Sequence, residues 1–218
     1  RDVVNVKDFG ATGDGATNDQ PAIVAAENFC TATGAQLHFP PGTYRCNAGF
    51  TKARNVDWVG SGKAVTTLDF RGTGTFINAV GTSGLRVQCT MSRMRFTGEF
   101  SDTASIGFKF AWNQRATLLD DVEIYQFGKY GIEFTDQNWI VSFYDVLVNQ
   151  CGGRTANGSG IYKGPTAGGA GEWNDIKFFG LNIETCGRAA DSTGGGMLIL
   201  SSIANRGLQL IGCDIEGN

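Results

Sequence analysis

The sequence lacks the motifs of several common enzyme classes. It has one histidine, His38, with no partner motif around it, so His38 is interpreted as structural rather than as a catalytic base. Its six cysteines include no Cys-x-x-Cys pair, which disfavours zinc ribbons and thioredoxin-type sites. No Gly-x-Ser-x-Gly elbow or phosphate-binding loop occurs. Serine-hydrolase and nucleotide-dependent chemistries therefore have no support.

Blocks of like charge and long apolar runs are also missing. The net charge is -3, from 18 basic and 21 acidic residues scattered along the chain, so no nucleic-acid partner is predicted. No apolar run approaches the ~20 residues of a membrane helix, and the N-terminus has no charged segment leading into an apolar one. Membrane insertion is therefore not predicted.

No linker-like stretch divides the 218 residues, so we expect a single domain over residues 1–218. Residues 1–50 would supply an N-terminal strand, a cap helix and the first strands, and 51–218 the stacked coils. Because the chain begins at Arg1 and its last repeat ends at Asn218, it is expected to be part of a longer chain, or to be closed by partner chains.

Short segments with apolar residues at alternate positions, each followed by a turn, recur along the chain. The first series comprises residues 121–128, 145–152, 180–187 and 212–218, with fainter copies at 93–98 and 55–60. Taking Met94, Val122, Val146, Leu181 and Cys213 as equivalent, the steps are 28, 24, 35 and 32 residues. This spacing is typical of a solenoid whose insertions fall at the turns.

Two further series alternate with the first. The second series comprises residues 107–110, 131–134, 160–162 and 196–199, and the third comprises 85–87, 118–119, 140–143, 176–178 and 208–210. Three strands in one cyclic order form a triangular coil, and period-two alternation gives each strand an inward and an outward face. The predicted fold is all-β, a right-handed parallel β-helix with three-strand coils and a short N-terminal capping α-helix.

The cap helix is expected from about Asn18 to Ala32. Thr17 to Gln20 has the form of a capping box, Pro21 is tolerated in the first turn, and Gly34 ends the helix. Its predicted apolar stripe, which would cover the N-terminal end of the stack, is Ala22, Ile23, Ala26 and Phe29.

The segment NVKDFGATGDGATND, followed by AI and then LHFPPGTY, covers roughly residues 4–44. It closely resembles the N-terminal signature of the pectate-lyase-like right-handed β-helix superfamily, many of whose members are phage tailspike or tail-fibre depolymerases. Where members often have Asp-Asp-Thr after the Gly-Asp-Gly turn, this chain has Asn18-Asp19-Gln20 and then Pro21, a departure confined to the cap helix. The resemblance implies the fold and says little about the reaction.

Acidic residues of the first series are the catalytic candidates. With Leu181 and Ile183 inward, alternation turns Glu184 and Glu216 outward on adjacent coils, with Asp214 beside them. Two carboxylates about one strand spacing, ~4.8 Å, apart would let one act as a general acid while the other stays charged. The alternative is that these acids belong to solvated strand faces or bond turn amides of the next coil.

Substrate-binding candidates precede the acids at the same register. The outward row is predicted to read Tyr125, Asn149, Glu184 and Glu216, with Asn182 alongside, and Trp173 stands in a glycine-rich loop that would line a groove. An aromatic ring beside amide and carboxylate groups suits a sugar, whose C–H face packs on the ring. No cofactor and no metal site is predicted.

Cys151 and Cys186 occupy the same place in successive coils, just before a glycine. A reduced, apolar ladder is preferred to a disulfide, although the spacing leaves both open.

The resemblance makes a phage tailspike-type depolymerase, hydrolysing bacterial capsule or O-antigen, the leading functional hypothesis. It implies a homotrimer of parallel stacks and a place in the virion tail, with a secreted protein as the alternative. Hydrolysis is preferred to elimination because a lyase of this kind would carry an acid cluster for Ca²⁺ and a basic residue as base, and only Lys177 and Arg188 lie near the acids. A lyase, a non-catalytic glycan-binding shaft and an active groove beyond Asn218 remain the alternatives.

Overall fold

A computed structural model describes residues 2–52, 55–81, 88–111, 117–135, 138–153, 157–164, 173–187, 195–199 and 207–216. Its helices are a 3₁₀ turn at Val6–Phe9 and α1 at Gln20–Thr33. The strands described, β1 to β19 in chain order, are Val3–Asn5, Asp14–Asn18, Gln36–Phe39, Gly42–Cys46, Phe50–Thr51, Trp58–Gly60, Thr66–Phe70, Thr75–Val80, Thr90–Thr97, Ile106–Ala111, Thr117–Tyr125, Tyr130–Phe134, Asn138–Asn149, Ser159–Lys163, Trp173–Phe179, Asn182–Glu184, Gly195–Ile199, Gln209–Ile211 and Asp214–Glu216.

The strands pair in parallel, each with the equivalent strand of the next coil. Strands β5, β8, β10, β12, β14 and β17 form a six-stranded sheet that corresponds to the second series. First- and third-series strands form the other sheet, because β9, β11 and β13 each run through both series. The predicted right-handed parallel β-helix is confirmed.

A single left-handed residue makes the corner between the third and first series. Arg93, Asp121 and Asp145 have φ of 54°, 51° and 50° at equivalent positions, and Gly180 and Gly212 have φ of 64° and 61° at the same place in later coils. Aspartate and glycine tolerate this region better than most residues. The chain can therefore change direction here without a loop.

The predicted register of the first series is confirmed. Val122 pairs with Met94 on one side and with Val146 on the other. The assignment of residues 55–60 to this series is wrong, because Trp58 pairs with Met91, a third-series position. Strand β7 fills the first-series place in that coil. Short alternating segments look alike whichever side of the coil they form.

The core consists of the inward side chains stacked from coil to coil. Leu181 and Ile183 are fully buried, as predicted. Cys151 and Cys186 are buried, reduced and adjacent, and the amide of Cys151 donates to the Cys186 Sγ at 3.3 Å. Burial raises the pKa of the Cys151 thiol. The pair is thus the apolar ladder that was preferred from the sequence.

Helix α1 packs against β1, β3 and β4 at the N-terminal end of the stack. It ends at Gly34 with φ of 74°, as predicted, but Thr17 does not cap it. The Thr17 hydroxyl donates to Asp14 instead, and the Gln20 side chain bonds the backbone of Ala48 and Gly49. The side chains of the predicted capping box therefore form hydrogen bonds with neighbouring turns and do not cap the helix.

The buried residues of α1 are Ile23, Ala26 and Cys30. Phe29 is 47% exposed and lies against Phe9, with 5.6 Å between ring centroids, so its predicted place on the inward stripe is wrong. None of the helices in the described part of the chain is long and apolar enough to cross a membrane.

Candidate functional site

The outward side chains of the first-series strands line up into a row. Hydrogen-bonded pairing places Tyr125 beside Asn149, Asn149 beside Glu184, and Glu184 beside Glu216. We call these four residues the first-series row. This pairing confirms their predicted register. Ile124, Val148 and Ile183 on the inward side are buried, whereas Ile215 on the last strand described is 46% exposed.

The acids of this row differ in exposure. Glu184 is half-buried, and Asp214 pairs with Asn182 in the neighbouring row. Glu216 and Asp214 are exposed, as is the inward Ile215 between them, because β19 is the last strand of the stack described. Adjacent strands lie ~4.8 Å apart, so the two glutamates stand directly side by side. When two carboxyl groups lie side by side, one can stay protonated and act as a proton donor while the other stays ionised. Their catalytic roles remain predictions.

Tyr125 and Asn149 provide the aromatic and amide groups of the row, and both are half-buried. The Arg95 guanidinium lies over the Tyr125 ring, 5.6 Å from its centroid. Asn149 Oδ1 is buried and has no hydrogen-bond partner within the described residues. A buried amide oxygen without a partner is uncommon in native proteins.

Trp173 does not join this row. It begins β15, where its backbone pairs with Asn138, and Gly180 makes the corner between that strand and Glu184. Its side chain lies outside the described residues. The backbone thus places Trp173 on a different side of the coil from the acids.

Sequence reasoning missed a charged pair beside the row. Arg95 Nε and Nη2 each lie 2.7 Å from Glu123 Oε2, and the Glu123 side chain is only 9% exposed. Arg95, Glu123 and Asn182 belong to one outward line of positions, because Glu123 and Asn182 both pair with Leu147. The alternation that places Glu184 on the outward side also places Arg95 and Glu123 there. Counting alternate positions from Val122 would therefore have identified this pair.

A second outward row lies on the six-stranded sheet. It consists of residues that pair successively across β8, β10, β12 and β14, namely Asn78, Lys109, Glu133 and Tyr162. We call these four residues the second-series row. Although Glu133 points outward, its side chain is only 10% exposed, and its Oε2 lies 3.2 Å from Lys109 Nζ.

Two tyrosines complete the second-series face. The rings of Tyr130 and Tyr162 stack with centroids 4.2 Å apart and planes 1° apart, and Lys129 Nζ lies 5.1 Å from the centroid of Tyr130. Tyr130 is 5% exposed, and burial followed by the charge and hydrogen bonding of Tyr162 raises its pKa. Clusters of buried titratable groups are common at functional sites.

Within the described residues, no group of three or more His, Cys, Asp or Glu side chains is placed to hold a metal ion.

Known proteins resemble this chain in sequence and in fold. Residues 3–92 match the family model described as rhamnogalacturonase A/epimerase, pectate lyase-like. Mannuronan C5-epimerase AlgE6 of Azotobacter vinelandii is 40% identical over 72 residues, covering 29% of this chain and 8% of that protein.

Two viral structures share the architecture over nearly the whole chain. ORF18 of Geobacillus virus E2 has a TM-score of 0.69 at 18% identity and covers 97% of this chain and 52% of its own. The Dettilon tailspike protein gp208 has a TM-score of 0.61 at 13% identity and covers 95% and 46%. At these identities the likeness shows the fold. The chain spans about half of each structure and 8% of the epimerase.

Proposed function

Because the chain is a pectate-lyase-like right-handed parallel β-helix, a fold shared with a phage tailspike, we propose that it acts on bacterial surface polysaccharide. The proposed activity is hydrolysis of capsule or O-antigen by a tailspike-type depolymerase. The observation that carries the proposal is the first-series row, in which an aromatic ring, an amide and two carboxylates follow one another on adjacent strands.

Glu184 and Glu216 are the proposed catalytic pair. One protonates the glycosidic oxygen as the bond breaks, and the other stabilises or attacks the positive charge that develops on the sugar ring. The ~4.8 Å spacing separates the two backbones, and it favours neither stereochemical outcome. Carboxyl groups ~5 Å apart would make the enzyme retaining, and groups ~6.5–9.5 Å apart would make it inverting. Asp214, exposed beside them, is proposed to assist by positioning.

Tyr125, Asn149 and Asn182 are the proposed sugar-binding residues. The Tyr125 ring would pack on the C–H face of a sugar, and the amide groups of Asn149 and Asn182 would bond its hydroxyls. The register of the row supports this assignment, because Asn149 lies between Tyr125 and Glu184 on adjacent strands.

The test is incubation of the full chain with purified capsular and O-antigen polysaccharides, with release of reducing ends as the readout. Glu184→Gln and Glu216→Gln should each lower the rate by about a hundredfold or more, since general acid–base groups contribute ~10²–10⁴-fold. Glu99→Gln is the matched control, because Glu99 is an exposed acid paired with Arg71 outside the row. If neither catalytic substitution lowers the rate by about tenfold, the site assignment is wrong.

A specific observation favours a second candidate, a polysaccharide lyase acting at the second-series row. There a cation, a nearly buried carboxylate and two stacked tyrosines lie together, and elimination from a uronic acid needs a cation near the sugar carboxylate and an acid–base pair. Its products carry a carbon–carbon double bond that absorbs ultraviolet light. If the wild type releases ultraviolet-absorbing products, if Tyr162→Phe no longer releases them and if Glu184→Gln still does, then the reaction is elimination at the second-series row and not hydrolysis.

A homotrimer in the virion tail is proposed as the assembled form. The likeness to a tailspike supports it, and sedimentation equilibrium of the purified chain tests it. If the intact assembly cuts none of the polysaccharides, the chain is a non-catalytic glycan-binding shaft.

A further inference from the structure

The outward face of the third-series strands contains a shallow apolar cavity that the proposed function does not use. The cavity has a volume of about 250 Å³ and is lined by Thr117 and Leu118 of β11 and by Ile140, Ser142 and Tyr144 of β13. We call it the third-series cavity. Ile140 and Tyr144 are each 41% exposed, which is unusual for large apolar side chains in the middle of a stack.

Tyr144 offers one face of its ring to this cavity. On one side, the ring stacks on Phe179 of the next coil, with centroids 4.8 Å and planes 8° apart. On the other side, the residue paired with Tyr144 is Asp120, which is exposed and has no ring to cover it. The Phe179 stack fixes the plane of the Tyr144 ring, so the face over β11 is held ready before any ligand arrives.

The groups around this ring face match the surface of a sugar. Leu118 and Ile140 line the cavity with apolar surface, and Ser142 adds a side chain with a hydroxyl. A pyranose has an apolar C–H face, which packs on an aromatic ring. It also has a rim of hydroxyls, which form hydrogen bonds with polar side chains. The volume of about 250 Å³ is below the ~300–1,000 Å³ of drug-sized pockets and suits one ring.

We propose that the third-series cavity binds a single pyranose unit of a polysaccharide, with Tyr144 as the stacking platform. The cavity by itself is smaller than a stable protein interface, which buries ~800 Å² on each side. The site is not catalytic. It holds a glycan on the same two strands that carry Tyr125 and Asn149.

The cavity and the first-series row are close but separate. On β13, Tyr144 precedes Asn149 by five residues, at most ~17 Å at ~3.3 Å per residue, and the corner at Asp145 lies between them. Lys63 bridges Asp121 and Asp145 at that corner, with distances of 3.0 and 3.5 Å. Binding at the cavity would therefore keep polysaccharide near the row without occupying it.

The test is saturation-transfer NMR of the full chain with the methyl glycosides of glucose, galactose, mannose, rhamnose and N-acetylglucosamine. At least one should receive saturation from the protein, and Tyr144→Ala should lower that transfer by about tenfold, equivalent to ~1.4 kcal/mol, because the stacking platform is lost. Tyr144→Phe, which keeps the ring, should retain it within about threefold. Phe29→Ala, the matched control at an exposed aromatic residue on the cap helix and outside both sites, should leave it unchanged.

Circular dichroism and sedimentation velocity of each variant separate the outcomes. Equal transfer in the wild type and Tyr144→Ala, or none from any of the five glycosides, overturns the proposal. It is also overturned if Tyr144→Ala stays folded but dissociates an oligomer, since the face would then be an interface between copies. Because hydrolysis is read by reducing-end release with Glu184→Gln, failure of the row and failure of the cavity are distinguishable.

Discussion

The first-series row and the second-series row both carry acids, but they expose them differently. In the first-series row, Glu184 is half-buried and Glu216 exposed, and neither forms an ion pair within the described residues. On the second-series face, Glu133 is 8% exposed and ion-paired with Lys109. Stacking fixes the register of both rows. It does not decide how much water reaches them.

The side chains stacked beside each acid account for the difference. Glu133 lies between Lys109 and Tyr162 in its row and is ion-paired with Lys109. Glu184 lies between Asn149 and Glu216, neither of which is a cation. Glu123, which neighbours Arg95, is nearly buried and ion-paired although it lies on the same side of the coil as Glu184. We call the side that carries the first-series row the open face and the side that carries the second-series row the enclosed face, after Glu184 and Glu133.

The largest stability contrast between the faces is expected at Glu133. Glu133→Gln should lower the free energy of unfolding by about 2 kcal/mol, because Lys109, whose side chain is 32% exposed, would lose the charge that compensates it. Glu184→Gln should change it by less than about 0.5 kcal/mol. Urea unfolding followed by tryptophan fluorescence measures both.

The double variant Lys109→Met/Glu133→Leu is the control for the ion pair. Replacing both charges with apolar groups of similar size should restore stability to within about 1 kcal/mol of the wild type. Equal destabilisation by Glu133→Gln and Glu184→Gln would remove the contrast between the two faces.

A smaller effect is expected from the aromatic residue of the open face. Tyr125→Ala should raise KM for polysaccharide about tenfold, equivalent to ~1.4 kcal/mol, and leave kcat within about twofold, because the ring binds sugar before and during the reaction. Steady-state kinetics of reducing-end release measures both constants. Tyr162→Ala, which removes a ring from the enclosed face, is the comparison. A larger KM change there would move binding to the second-series face.

The smallest effect is expected at Asp214. It is exposed and lies beside the catalytic pair, so Asp214→Asn should lower kcat by less than tenfold, below the ~10²–10⁴ range of a group that transfers the proton itself. A fall as large as that of Glu216→Gln would make Asp214 a proton-transferring residue. The same reducing-end assay decides this.

Much of the fold followed from local pattern. Val122, Val146 and Leu181 could be aligned by hand because each precedes the same alternation and the same kind of turn, and backbone pairing then places Glu184 beside Glu216. The assignment of residues 55–60 failed for the same reason, since a short alternating segment fits two sides of a triangular coil equally well.

The burial of Glu133 was not predictable from the sequence. Its neighbours in sequence alternate as those of Glu184 do, and only the side chains stacked beside it in adjacent coils distinguish the buried acid from the accessible one. The capping box failed similarly. Thr17 has the right neighbours in sequence, but Asp14 offers its hydroxyl a closer acceptor at 2.8 Å.

The most direct test is a crystal structure of the Glu184→Gln chain soaked with oligosaccharide fragments of a polysaccharide that the protein binds. We predict a sugar ring against Tyr125 and a glycosidic oxygen between residues 184 and 216. An oligosaccharide bound only against Lys109 and Tyr162 would contradict the assignment of the open face as the reacting one.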